Sequence, residues 1–128
     1  CHTWLVHSDG SEEAAVALQL ALSRARPGMD RICALTIRDE WKENRGFDTR
    51  AHVEAVQEQI QHRGEAIAVA KDRASTIAQQ LSKVGRQIGA NYICIGKDDG
   101  GIGSTATHLL RGSKATVIIA AIPTTKKN

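Results

Sequence analysis

The chain has 128 residues, which suits one domain (1–128) with a hydrophobic core of its own. Its 17 basic and 14 acidic residues leave a net charge of +3, too balanced to favour a nucleic-acid partner. No apolar run reaches the roughly 20 residues of a membrane span and no signal peptide is visible, so we expect no membrane partner and a cytoplasmic location. Because it starts at Cys1 rather than methionine, we expect a trimmed N-terminus or a domain of a longer protein.

The first half of the chain predicts strands and helices in alternation. An apolar run at 4–6 predicts strand 1, and the apolar residues of 14–25 fall on one helical face that stops before Pro27-Gly28. The next predicted elements are a strand at 31–37, a polar loop at 38–48 and a helix from Thr49 to Gly64.

The second half continues this alternation and defines the fold class. Its predicted elements are a weak, alanine-rich strand at 66–70, a helix at 77–88, a strand at 91–96, a short helix around 106–110 and a strand at 115–122. Five strands and four helices in alternation imply crossover connections. We therefore expect an α/β fold, a three-layer doubly wound sheet of five parallel strands with helices on both faces. Ligands of such sheets bind beyond the carboxyl ends of the strands, where the strand order reverses.

The segment after strand 4, GKDDGGIGST, is a candidate phosphate loop. Its glycines permit close backbone approach, and the helix start that follows offers unpaired N–H groups to an anion. The candidate residues are Gly96, Gly100, Gly101, Gly103, Ser104 and Thr105. The carboxylates of Asp98 and Asp99 would repel a phosphate unless Mg²⁺ lay between the carboxylates and the phosphate. Aspartates and glycines also favour a simple turn. Both interpretations stay open on these residues alone.

The segment after strand 1, HSDGS, has two interpretations as well. Asp9 is suited to accept hydrogen bonds from a base or ribose, but Asp9, Gly10 and Ser11 also suit the start of a helix. His7, Ser8 and Asp9 are consecutive, so their side chains diverge and do not form a catalytic triad. The five histidines lack the spacing of metal ligands, and we expect no metal site. Cys33 and Cys94 fall in strand-like runs and, like Cys1, are expected to be free thiols in a reducing compartment.

Three segments resemble the universal stress protein family in order and spacing. WLVHSDGSEEAAVALQLALSRA is similar to its first strand, turn and alanine-rich helix, and IGANYICIG is similar to its segment before strand 4. GSTATHLLRGSKATVIIA resembles its last helix and strand. The resemblance implies strand order 3-2-1-4-5, with strands 1 and 4 side by side, and homodimers commonly paired through strand 5.

The resemblance also implies candidate residues for a nucleotide. ATP-binding members carry G-x2-G-x9-G-[S/T] after strand 4, and Gly96 and Gly103-Ser104 match its ends. Asp9 matches the family's aspartate on the adenine side, and Ile37 matches the hydrophobic residue beside the base. His7 stands where a small residue or proline is usual.

The phosphate motif is shortened in this chain. Only six residues separate Gly96 from Gly103, where the motif has twelve, and the middle glycine maps onto Asp99 with Gly100 beside it. A shorter loop wraps fewer N–H groups around a triphosphate, and a monophosphate such as AMP asks less of it.

These observations predict a dimeric stress-response module that is not an enzyme. We expect it to bind ATP or AMP, together with Mg²⁺, and we expect this binding to be weak or degenerate. Asp9 and Ile37 would hold the base and ribose, and Gly96, Gly100, Gly101, Gly103, Ser104 and Thr105 the phosphate. The alternative is a nucleotide-free dimerisation or scaffold domain with apolar strand 5 at the sheet edge. Trp41 and Phe47 are then candidate contacts, or a lid over the local core. A third hypothesis is a slow phosphohydrolase that uses Asp98 or Asp99 with Mg²⁺, but the sequence offers no residue in a fixed place as its general base.

Overall fold

The computed structural model describes residues 1–97 and 104–121 as an α/β fold. The strands are β1 (Thr3–His7), β2 (Arg31–Arg38), β3 (Gly64–Ala70), β4 (Tyr92–Lys97) and β5 (Thr116–Ala121). The helices are α1 (Glu12–Arg24), α2 (Glu40–Glu43), α3 (Thr49–Ile60), α4 (Ile77–Ile88) and α5 (Ser104–Gly112), with one 3₁₀ turn at Gln61–Arg63. No helix in the described residues is long and apolar enough to cross a bilayer.

The five strands form one parallel sheet in the order β3-β2-β1-β4-β5, which confirms the predicted fold class and strand order. Alternate residues of each strand face opposite sides, so the sheet has two cores. Trp4 and Val6 pack with α1 and α3 on one side, and Leu5 packs with α4 and α5 on the other. Because β1 and β4 are parallel neighbours, the segments that follow them leave the same edge of the sheet.

The predicted elements differ from the structure in the region around α2 and β3. The polar loop predicted at 38–48 contains α2, a single turn whose first N–H groups are capped by the Asp39 carboxylate. The predicted second helix ends four residues early, at Ile60, because Gln61 adopts a φ of +57°. Gly64 instead begins β3, where a Cβ atom would lie 1.7 Å from the Ile32 carbonyl oxygen. That close approach of two strands explains the glycine.

Gly96 near the end of β4 also has a packing role. A Cβ atom built there would lie 2.1 Å from the carbonyl oxygen of Glu13. The absence of a side chain therefore lets the first turn of α1 lie directly on the sheet. This contact fixes the start of the glycine-rich segment, whether or not it holds a ligand.

A buried carboxylate joins several segments at the opposite, amino-terminal edge of the sheet. Asp30 accepts hydrogen bonds from the backbone N–H groups of His2 and Arg26, each at 3.0 Å, and from the indole of Trp4 at 3.4 Å. The Arg26 guanidinium adds a 3.1 Å contact. Asp30 therefore ties the chain start and the α1–β2 turn to the core, well away from the carboxyl edge.

Candidate functional site

A cleft of about 620 Å³ opens at the carboxyl edge of the sheet. It lies where β1, β2 and β3 end, between α2 and the first residue of α4. Its walls include Asp9 and Ile37, the two residues predicted to hold a base and ribose. Ile37 is buried and presents an apolar surface, whereas Asp9 is half-buried. The structure thus brings these two predicted site residues into one concave space.

Asp9 organises the turn that enters α1. Its Oδ1 atom accepts hydrogen bonds from the backbone N–H of Ser11 at 3.0 Å and from the Ser11 hydroxyl at 2.6 Å. Ser11 in turn caps α1 by accepting from the N–H of Ala14 at 3.2 Å. Among the described residues nothing donates to Oδ2 of Asp9. The carboxylate therefore supports the Ser11 cap through one oxygen, and its other oxygen has no donor in the described part of the chain.

Asp9 is ionised at neutral pH. Burial of its carboxyl favours the neutral acid, but the two Ser11 hydrogen bonds, and more weakly the nearby His7 and Lys42, lower its pKa below the ordinary value. His7 shows the opposite balance. Burial lowers the pKa of its imidazole, Asp9 raises it and Lys42 lowers it, with a net decrease. At pH 7 the cleft therefore presents a carboxylate beside a neutral imidazole.

The segment from α2 to Phe47 is fastened to the turn after β1. The Lys42 ammonium donates to the backbone carbonyl of Asp9 at 3.1 Å. Gly10 has a φ of +88°, and a Cβ atom there would lie 2.6 Å from the Phe47 ring, so only glycine suits both the turn and the contact. Phe47 is half-buried, as expected of a lid over the local core, while Trp41 on α2 remains exposed.

Ser8 points away from the cleft, as the predicted divergence of His7, Ser8 and Asp9 requires. Its hydroxyl shares a 2.9 Å hydrogen bond with Nε2 of His52 on α3. The His52 ring also lies 5.4 Å from that of Phe47, centroid to centroid. Ser8 therefore serves a different surface from His7 and Asp9, which both line the cleft, and the three side chains do not form a triad.

Four cations line the cleft: Arg38, Lys42, Lys71 and Arg73. Three already have partners, since Arg38 forms a 3.1 Å ion pair with Glu43, Lys42 binds the Asp9 carbonyl, and Lys71 donates to the carbonyls of Asp72 and Ser75. Within the described part of the chain, the exposed Arg73 guanidinium forms no hydrogen bond or ion pair. Arg73 is therefore the cation most available to a ligand anion.

The predicted phosphate loop is described only at its ends. Gly100, Gly101 and Gly103 lie outside the described residues, as do Asp98 and Asp99. Gly96 lies in β4, and Ser104 and Thr105 begin α5. The structure thus places one end of this segment on a strand of the sheet and the other on a helix, and the phosphate assignment stays a prediction.

A wider depression of about 840 Å³ lies beside α3 and β3. Its polar groups are largely paired with one another. Glu43 accepts two hydrogen bonds from Arg38, both at 3.1 Å, and one from the Thr49 hydroxyl at 2.5 Å. Within residues 1–97 and 104–121 no cluster of three or more histidine, cysteine or acidic side chains suits a metal ion. The smaller cleft, with its available carboxylate oxygen and free cation, is the better candidate.

Sequence reasoning missed the contributions of α2 and of the β3–α4 segment to this cleft. Arg73 sits in a polar stretch without a motif, and the sequence predicts Trp41 only as a protein contact or a lid. A tryptophan among charged residues, as in EWKE, is the sequence signal that would indicate a role for this turn beyond connection.

No protein-family model and no curated protein matches the sequence, but solved structures of the universal stress protein family match nearly all of it. A member from Burkholderia pseudomallei is 25% identical, with a TM-score of 0.74 and 96% of each chain covered. The structure of an Arabidopsis thaliana member with AMP bound has a TM-score of 0.74 at 9% identity, covering 100% of this chain and 96% of that one. The Archaeoglobus fulgidus universal stress protein in complex with dAMP has a TM-score of 0.66 at 16% identity, covering 93% and 97%.

Proposed function

We propose that this chain, which has the fold of the universal stress proteins over nearly its whole length, binds an adenine nucleotide weakly and acts as a dimeric regulatory module in stress responses. The observation that carries the proposal is the meeting of Asp9 and Ile37 in one cleft of about 620 Å³. Nucleotides bound to structural relatives from Arabidopsis thaliana and Archaeoglobus fulgidus support it.

The base and ribose are assigned to the apolar and acidic walls of the cleft. The side chain of Ile37 offers an aliphatic surface to a planar base. The available Oδ2 of Asp9 is an acceptor for a ribose hydroxyl or a base N–H. Since the pKa of Asp9 is lowered, this acceptor is charged at pH 7, which strengthens such hydrogen bonds.

The phosphate is assigned to the segment between Gly96 and Thr105 and to the cations of the cleft. The shortened glycine segment offers fewer N–H groups than a triphosphate requires, so AMP should bind at least as well as ATP. Arg73, which lines the cleft, supplies a positive charge for the phosphate. Mg²⁺ would accompany only the longer phosphate chain, where Asp98 and Asp99 otherwise repel it.

Calorimetric titration with AMP and ATP tests this assignment. Asp9→Ala should weaken the affinity by about 1–3 kcal/mol, the cost of leaving a buried polar group of the ligand without its partner. Ser11→Ala is the matched control, because it disturbs the same turn and helix cap but keeps the Asp9 carboxylate. Equal affinity of wild type and Asp9→Ala would refute the role of Asp9.

A nucleotide-free assembly module is the second candidate function, favoured by the position of β5. This strand forms one edge of the sheet and, among the described strands, pairs only with β4. Its apolar residues Val117, Ile118 and Ile119 are only half-buried, and a bare apolar edge favours pairing with another chain. Sedimentation equilibrium measures dimerisation directly. Mass spectrometry of material released from the purified protein separates the two functions, since a dimer without nucleotide supports the second.

A further inference from the structure

Trp41 occupies an unusual position for a tryptophan. It lies on the single turn of α2, lines the nucleotide cleft, and has 61% of its surface exposed. The only other tryptophan, Trp4, is 5% exposed, and its ring stacks on Tyr92 at 4.4 Å. An indole that is 61% exposed gains little from burial in the folded protein, so packing alone does not explain Trp41.

The indole of Trp41 is held in place from one side. The guanidinium carbon of Arg45 lies 3.8 Å from the centre of the ring, close enough for a cation–π contact. Arg45 also donates to the Trp41 carbonyl at 3.4 Å. Because the guanidinium covers one face and the side chain is still mostly exposed, the other face of the ring is open to a flat ligand.

The turn that carries Trp41 is itself anchored to the cleft. Asp39 accepts from the N–H groups of Trp41 at 2.9 Å and of Lys42 at 3.3 Å, and Lys42 reaches the Asp9 carbonyl at 3.1 Å. The helical turn α2, which carries the indole, is therefore tied to the turn after β1 that presents the Asp9 carboxylate. A ligand that reaches Asp9 and Ile37 therefore meets, in the same cleft, an aromatic side chain that Arg45 covers on one face.

We propose that Trp41 stacks on the purine base of the bound nucleotide and is a specificity-determining residue of this site. The inference rests on the proposed function, since it assigns the base to this cleft. Stacking recognises the flat aromatic face of a base rather than its hydrogen-bonding edge. Trp41 thus selects for an aromatic base, while Asp9 contributes the polar contact.

Tryptophan fluorescence combined with calorimetry tests the proposal. The emission is excited at the red edge of tryptophan absorption, where adenine does not absorb. AMP should quench the exposed Trp41 with the same saturation curve that calorimetry gives for binding. Ribose 5-phosphate, which has the sugar and phosphate but no base, should leave the emission unchanged. The signal should disappear in Trp41→Phe, because buried Trp4 is shielded.

Substitutions separate stacking from mere proximity. Trp41→Ala should lower the affinity for AMP about tenfold, and Trp41→Phe should restore most of it, since phenylalanine also stacks. Equal AMP affinity in wild type and Trp41→Ala, without quenching, overturns the stacking role and leaves the proposed function intact. A Trp41→Ala protein that binds AMP normally but no longer dimerises shows that Trp41 is a protein contact, which also overturns it. Absence of AMP binding by wild type refutes the proposed function, and the stacking role with it.

Discussion

The Oγ atom of Ser8 and the Nε2 atom of His52 lie 2.9 Å apart and share a hydrogen bond between the end of β1 and α3. The bond joins residues 44 positions apart in the sequence, beside the contact of Phe47 with Gly10. A serine and a histidine at this distance also occur in hydrolases, but Ser8 is buried. No carboxylate in the described residues bonds to the His52 ring. The Ser8–His52 bond fastens α3 to the end of β1.

Ser8→Ala should reduce the free energy of unfolding by about 1 kcal/mol, because it removes one intramolecular hydrogen bond at a buried hydroxyl. Urea unfolding monitored by circular dichroism measures this change. Ser23→Ala is a control of the same chemistry at an exposed helix position, where the hydroxyl donates to the Leu20 carbonyl, and it should change stability by less than about 0.5 kcal/mol. A loss below about 0.5 kcal/mol in Ser8→Ala would show that the Ser8–His52 bond adds little stability.

Arg73→Ala should weaken AMP binding about two- to fivefold and leave adenosine binding unchanged, because an exposed cation acts on the phosphate and not on the base. Calorimetry with both ligands at low and high salt checks this, and the difference between wild type and variant should shrink at high salt. Arg24 is a suitable control. It is also exposed but lies at the end of α1, near the amino edge of the sheet. An equal loss for adenosine and AMP would place Arg73 outside the phosphate site.

Asp30 should make the stability of the protein depend on pH in acid. The backbone N–H of Arg26 is the largest influence that lowers the pKa of Asp30. Burial opposes it, and His2, the Arg26 guanidinium and Trp4 add to it, which leaves the pKa far below its ordinary value. A depressed folded-state pKa stabilises the fold above the unfolded-state value of roughly 4, and this stability is lost as the pH falls below it.

Asp30→Asn removes that titration. The variant should be less stable than wild type at pH 7, and its urea midpoint should fall less steeply as the pH is lowered from about 5 to about 2. Urea titrations of both proteins across this pH range measure the two slopes. Parallel slopes would mean that other carboxylates account for the acid sensitivity.

The three free cysteines should react at different rates. Cys1 is exposed, Cys33 is half-buried, and Cys94 is buried with its thiol directed to the Ala17 carbonyl at 3.4 Å. Burial raises the pKa of Cys94 to about 12 and also raises that of Cys33, so both are protonated thiols at pH 8, whereas reaction requires the thiolate. Mass spectrometry after iodoacetamide treatment should show rapid modification of Cys1 alone. All three should react in denaturant, and rapid labelling of Cys94 in the folded protein would contradict its burial.

The sequence was a good guide to the sheet because its strands are short apolar runs between helical patterns. Strands 1, 4 and 5 could be located from these runs, and the order of the strands followed from the family resemblance. The helix α2 was missed because four residues are too few for a helical period and EWKE has no apolar face. The start of β3 was missed because Gly64 looks like a helix stop, whereas its role is the close approach to Ile32.

The candidate site could be predicted only where a motif marked it. Asp9 and Ile37 were identified by matching the family pattern, and the structure places both in one cleft. Arg73 and the Ser8–His52 bond depend on contacts between distant segments, which no local pattern encodes. The capping role of Asp9 stays open in the sequence, whereas in the structure Ser11 is the cap and Asp9 supports it through one carboxylate oxygen.

The contact of Gly96 with the first turn of α1 has a consequence for engineering. Residues 97–102 follow Gly96, which packs directly against the backbone of α1. They precede α5, whose Ala106 and Leu109 are buried in the core. Because β4 and α5 are held by their own packing, an insertion between Gly96 and α5 need not disturb the fold. Doubling the six intervening residues to twelve costs only about 0.6 kcal/mol in loop-closure entropy. A full-length phosphate-binding segment can therefore be transplanted here at little cost to the fold.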